Sequence, residues 1–136
     1  MTKILIVDDR PETRELLAVT FEITNYQLFF AEDGVQALAL AQREQPDLAL
    51  LDIIMPNLSG LEVCRRFRAD PALAGMVIIL LSAKGQATDI AAGLAAGADG
   101  YITKPFSPLA LLDTVQERLS GDFLEYAPRQ LCMVEG

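Results

Sequence analysis

The chain has no histidine and no tryptophan, only two cysteines, and 11 Lys and Arg against 19 Asp and Glu, giving a formal net charge of −8. Each scarcity excludes something. A surface for nucleic acid needs a basic excess, so direct nucleic-acid binding is not expected. Cys64 and Cys132 lie far apart without CxxC spacing and read as reduced thiols rather than a disulfide framework or a zinc site. No apolar run approaches the roughly 18 residues of a membrane span. The N-terminal MTKILIVDD has a single Lys and reaches carboxylates by residue 8, too short for a signal-peptide apolar region, which points to a cytoplasmic protein. What is present is an ordinary globular balance: 136 residues, 51% hydrophobic and 22% charged, suited to one domain with its own core.

Short apolar runs alternate with longer segments of helical period. The strand-like runs are KILIVD (3–8), QLFFAE (27–32), LALLD (48–52), VIILLS (77–82) and GYIT (100–103). Between them, helical spacing covers 11–24, 34–45, 58–70, 86–97 and 107–119. Pro11 and Pro108 fit the first position of a helix, Pro108 behind Ser107 as N-cap. Asp33 with Gln36 and Ser59 with Glu62 have capping-box spacing, and Gly97 fits a C-terminal stop. Five β–α units in succession predict an α/β fold, a doubly wound five-stranded parallel sheet with helices on both faces. The first and third runs are almost continuously apolar, as central strands buried on both faces require. The second is interrupted by polar residues and the fifth is short, which puts them at the edges and favours the order 2-1-3-4-5.

Asp8 and Asp9 follow the first strand, Asp52 ends the third, Ser82 the fourth, and Lys104 follows the fifth. In a parallel sheet all carboxyl ends share one edge, so these five converge on one crevice at the switch in winding direction. Taken singly each has a bland reading; Asp9 before Arg10–Pro11 also suits a helix N-cap. Together they form a site. Two carboxylates about 4 Å apart repel by roughly 4 kcal/mol at an effective dielectric near 20, so three need a cation. Oxygen donors without Cys or His favour a hard ion such as Mg²⁺ (or Mn²⁺). With an ammonium and a hydroxyl added, the crevice suits a dianionic phosphoryl group, and a carboxylate can serve as its nucleophile.

The pieces ILIVDD, LALLDIIMP, VIILLSAK and GADGYITKPF, and the separations of 30 residues from Asp52 to Ser82 and 22 from Ser82 to Lys104, resemble the response-regulator receiver domain of bacterial two-component signalling systems. The resemblance covers residues 3–119 and implies the same flavodoxin-like fold. It implies that Asp52 is the phosphoacceptor, taking a phosphoryl group from a histidine kinase or a histidine phosphotransfer protein in trans, since this chain has no histidine of its own. Asp8, Asp9, Asp52 and the backbone carbonyl of Ile54 would hold Mg²⁺, with Asp8 acting largely through water. Ser82, Lys104 and the backbone N–H groups of Ile54 and Ala83 would bind the phosphoryl oxygens, and the Lys104–Pro105 peptide bond would be cis. Ser82 and Tyr101 would form the switch, with Tyr101 turning inward and the face 86–119 carrying the output. Tyr101 also reads simply as an amphipathic edge-strand residue.

Some positions depart from close family patterns. Gly100 stands where winged-helix regulators usually carry Asp, and Leu109 where they carry Arg, so their symmetric dimer is not expected. Leu109, Leu112 and Ile90 would instead offer an apolar patch unless they are core residues. Ile54, two residues after Asp52, should shield an acyl phosphate, whereas Lys84 is placed to reach it; a phosphorylated state lasting minutes or longer is expected. Three readings compete with a phosphoacceptor signalling domain. A Mg²⁺-dependent aspartyl-phosphate hydrolase would usually show DxD on the first strand, whereas this chain has DDR. A flavodoxin would need a Ser/Thr-rich phosphate loop where DDRPET stands. A receiver-like interaction module that is never phosphorylated usually lacks a site residue, and all five are present here. The receiver is expected to occupy 1–119, with 120–136 a tail or truncated linker.

Overall fold

Apolar runs of four to six residues, each followed by a polar residue or a turn, become the strands of one sheet. A computed structural model describes residues 1–120; Cys132 and, from residue 121 onward, the expected tail lie outside the described residues. The strands are β1 (Lys3–Val7), β2 (Gln27–Ala31), β3 (Leu48–Asp52), β4 (Val77–Ser82) and β5 (Gly100–Thr103). All pairings are parallel and the order is β2-β1-β3-β4-β5, as the apolar runs predict. The helices are α1 (Pro11–Thr20), α2 (Gly34–Glu44), α3 (Gly60–Ala69), α4 (Ala87–Ala95) and α5 (Pro108–Ser120).

The two-residue period of each strand divides the core between two layers. Leu5, Val7, Ala49, Leu51, Ile78 and Leu80 face α2 and α3, where Ala37, Ala41, Val63, Cys64 and Phe67 close over them. Ile4, Ile6, Leu48, Leu50, Ile79 and Leu81 face α1 and α5, meeting Leu17, Phe21, Leu111 and Val115. Each fully buried Val, Leu, Ile or Phe among them contributes about 1.5–3 kcal/mol, so the sheet is a stiff platform for whatever its ends carry.

The helix ends differ locally from the sequence expectation. The period that suggested a helix to residue 24 tightens after Thr20 into a 3₁₀ turn, Phe21–Ile23, which carries Phe21 into the core. Asp33 caps α2 by accepting from Gln36 N at 2.8 Å, but the Gln36 side chain bonds Glu32 N instead of closing the box. Ser59 caps α3 at 3.3 Å, while Glu62 turns away to Arg65 and Arg66. Ser107 caps α5 through Ala110 N at 3.3 Å. Gly97 follows α4 with φ +112, a conformation that strains residues with a Cβ. Leu112 belongs to the core and so drops out of the apolar patch, Ile90 is half-buried, and Leu109 is exposed.

Charge at the amino edge of the sheet is matched. Arg68, at the end of α3, donates to Gly97 O (2.7 Å), Ala74 O (3.0 Å) and Met76 O, and pairs with Asp99 at 2.7 Å. Asp99 also accepts from Ile78 N, and Asp47 from Lys3 N. The carboxyl edge is different.

Candidate functional site

Asp8 emerges from β1 fully buried, with its own N–H spent on Ala31 O at 3.1 Å. Its carboxylate accepts from Arg10 N at 2.9 Å and from Lys104 Nζ at 2.9 Å. Asp52 closes β3 at only 5% exposure, because β3 is covered on both faces up to its last residue. It accepts from Ile54 N at 3.3 Å and from Lys104 Nζ at 3.4 Å. Asp9 is exposed beside them, and Asp8, Asp9 and Asp52 each offer an oxygen within 4.8 Å of the others. Asp9 is not a helix cap: Arg10 occupies that position in α1.

Lys104 reaches this cluster because its backbone N–H continues the β4–β5 ladder onto Ser82 O at 2.7 Å, and the Lys104–Pro105 bond is cis, as expected. Ser82 ends β4 fully buried, its hydroxyl accepting from Lys84 N at 3.1 Å. All five strand-end residues therefore meet on one edge. A cavity of about 290 Å³ opens there, lined by Asp9, Arg10, Asp52, Ile54, Ala83 and Lys104. Ile54, 55% exposed, stands at its mouth.

The site's electrostatics follow from this crowding. Burial raises the pKa of Asp52 and the charge of Asp8 raises it further, against the opposing pull of Lys104 and the Ile54 N–H. The helix beneath is held close: Gly60 N donates to Ile53 O at 2.8 Å, and a Cβ on Gly60 would collide with the Asp52 carbonyl. Glycine here lets α3 begin directly against the strand end that carries Asp52.

Tyr101 lies half-buried on β5 against the α3-side core, its hydroxyl donating to Lys84 O at 2.5 Å. The ring is thus tied to the loop that follows Ser82. The residue not singled out from sequence is Arg10. Its one legible signal is its place directly after the Asp8–Asp9 pair.

Three oxygen-only donors at this spacing fit a hard divalent cation, and Lys104 beside them fits an oxyanion. The chain is also similar to known proteins. A family model described as "Response regulator receiver domain" matches residues 4–116. The DNA-binding response regulator MtrA of Mycolicibacterium smegmatis is 40% identical over 117 residues, covering 86% of this chain and 50% of that protein. The phosphate regulon transcriptional regulatory protein PhoB of Pseudomonas aeruginosa is 46% identical over 109 residues, 80% of this chain and 48% of its own. The chain thus spans about half the length of these relatives. Among solved structures, the Vibrio cholerae chemotaxis protein CheY4 superimposes with a TM-score of 0.81 at 33% identity, over 86% of this chain and 98% of its own. Fold, strand-end residues and relatives converge: this chain belongs to the response regulator receiver domain family of two-component systems.

Proposed function

We propose that this receiver is a phosphorylation-dependent switch in which Asp52 accepts a phosphoryl group from the phosphohistidine of a histidine kinase or histidine phosphotransfer protein. The observation that carries the reading is the Lys104 ammonium, 2.9 Å from Asp8 and 3.4 Å from Asp52, beside three carboxylates at metal-ligand spacing. The bond formed is Asp52 Oδ to phosphorus; the bond broken is phosphorus to imidazole nitrogen, and the donor histidine leaves with the electron pair. Asp8, Asp9, Asp52 and the Ile54 carbonyl would hold Mg²⁺ (or Mn²⁺), which supplies charge neutralisation for the incoming phosphoryl oxygens. Lys104, whose Nζ already lies between two carboxylates, moves its hydrogen bonds onto the phosphoryl oxygens. Ser82 and the Ile54 and Ala83 N–H groups bind the remaining oxygens.

Phosphorylation brings roughly −1.5 to −2 charge and three acceptor oxygens to the carboxyl edge. The Ser82 hydroxyl, drawn to them, would leave Lys84 N. That perturbs the same loop whose Lys84 carbonyl holds Tyr101, so the change passes to the 86–119 face. The face responds only as far as phosphate favours one arrangement over the other. The domain acts as a phosphoacceptor with slow self-phosphorylation and autodephosphorylation rather than as a turnover hydrolase.

Incubation with acetyl phosphate and Mg²⁺, read by intact mass, tests the reading. One phosphoryl adduct is expected, lost on removing the metal and absent in Asp52→Asn. A wild-type protein that stays unmodified with acetyl phosphate and also fails to take up beryllofluoride with Mg²⁺ would overturn it.

A further inference from the structure

We propose that Arg10 is a further phosphoryl-binding residue of this site, gripping the outward oxygens of the group that Asp52 receives; the inference rests on the phosphoacceptor reading. Arg10 lines the same cavity as Asp52 and Lys104. Its backbone is fixed there by the 2.9 Å bond from Arg10 N to the buried Asp8 carboxylate. Its guanidinium has no hydrogen-bond or ion-pair partner among the described residues. In contrast, Arg14 donates to Asp8 O, Arg43, Arg65 and Arg66 pair with Glu44 or Glu62, and Arg68 is held by four acceptors.

Local stability gives no reason for an arginine here. Arg10 is the N-cap of α1 yet makes no side-chain capping bond, where Ser, Thr, Asp or Asn would. A cation at a helix amino end also opposes the helix dipole. A local rule broken beside a site points to the site's needs. The charge balance supplies one. A dianionic phosphoryl group on Asp52, together with Asp8 and Asp9, exceeds in negative charge what a divalent cation and Lys104 supply, and one guanidinium closes the gap. Its planar fork matches two phosphoryl oxygens, and the exposed stem lets it swing over the cavity mouth once they arrive.

Beryllofluoride, a phosphoryl mimic, and Mg²⁺ alone separate the anion grip from the metal site. Both affinities would be measured by calorimetry and fluorine NMR for wild type, Arg10→Ala and Arg10→Lys. The expected result is beryllofluoride binding weakened about tenfold in Arg10→Ala and less in Arg10→Lys, with Mg²⁺ affinity equal to or tighter than wild type. Beryllofluoride affinity of Arg10→Ala within about twofold of wild type would overturn the assignment. So would a parallel fall in both affinities, which would make Arg10 a support of the metal site. A wild type that binds Mg²⁺ but no beryllofluoride would sink the phosphoacceptor reading itself, and this assignment with it.

Discussion

At the amino edge of the sheet, Arg68 satisfies three backbone carbonyls and Asp99, and Asp99 in turn takes Ile78 N, so that each charge there has partners of opposite sign or matching polarity. At the carboxyl edge, Asp8, Asp9 and Asp52 crowd together, and the Lys104 ammonium pairs with two of them, Asp8 and Asp52. Both edges belong to the same sheet and face the same solvent. The difference teaches where the fold matches its charges and where it crowds like ones: among the described residues, a cluster of three carboxylates lies on the edge proposed to take a cation and a phosphoryl group.

The strongest way to break the comparison is to remove the matched edge. Arg68→Ala leaves Asp99 without its counter-charge and three carbonyls without their donor, and should cost about 3 kcal/mol in urea unfolding while the acetyl-phosphate adduct still forms. Next comes the close packing under the site. Gly60→Ala forces α3 away from the Asp52 carbonyl; a loss of about 2 kcal/mol is expected, together with slower phosphorylation, because the same shift moves the phosphoacceptor.

The smallest effect carries the most telling sign. The folded protein holds the Asp52 carboxyl above its unfolded pKa, so that group's favourable contribution is complete below the unfolded value and is lost as pH rises through the folded one. Without metal, Asp52→Asn should therefore be more stable than wild type at pH 7, on the order of 1 kcal/mol. That advantage should shrink as pH falls toward the ordinary carboxylate range near about 4. Saturating Mg²⁺ should reverse the order, since it stabilises the protein that binds it better. Thermal melts at two pH values, with and without Mg²⁺, read all three signs.

Much of this was legible in the sequence for physical reasons. The strands were readable because β1, β3 and β4 are buried on both faces and so are continuously apolar, and the site was readable because polar residues interrupt that pattern only at the strand ends. Helix ends were less legible. Phe21 serves equally well as the next turn of α1 or as the start of a 3₁₀ turn, and only packing on the sheet decides. The capping-box spacing at Ser59 and Glu62 did not reveal that Arg65 and Arg66 would compete for the carboxylate. Leu112 and Leu109 share one apolar alphabet, and the register of α5 on the sheet separates core from surface. The Asp8–Lys104 pair joins residues 96 positions apart and emerges only from the topology. Arg10 stayed hidden because a lone arginine after a strand reads as solvated surface until its cavity is seen.

The central claim is that Asp52, and not its neighbours Asp8 or Asp9, receives the phosphoryl group. Borohydride reduces an acyl phosphate to an alcohol and so marks the carboxylate that carried it. After acetyl phosphate and Mg²⁺, reduction and peptide mapping should convert residue 52 alone to homoserine. Homoserine at residue 8 or 9, or a phosphorylated protein with residue 52 unreduced, would contradict the account.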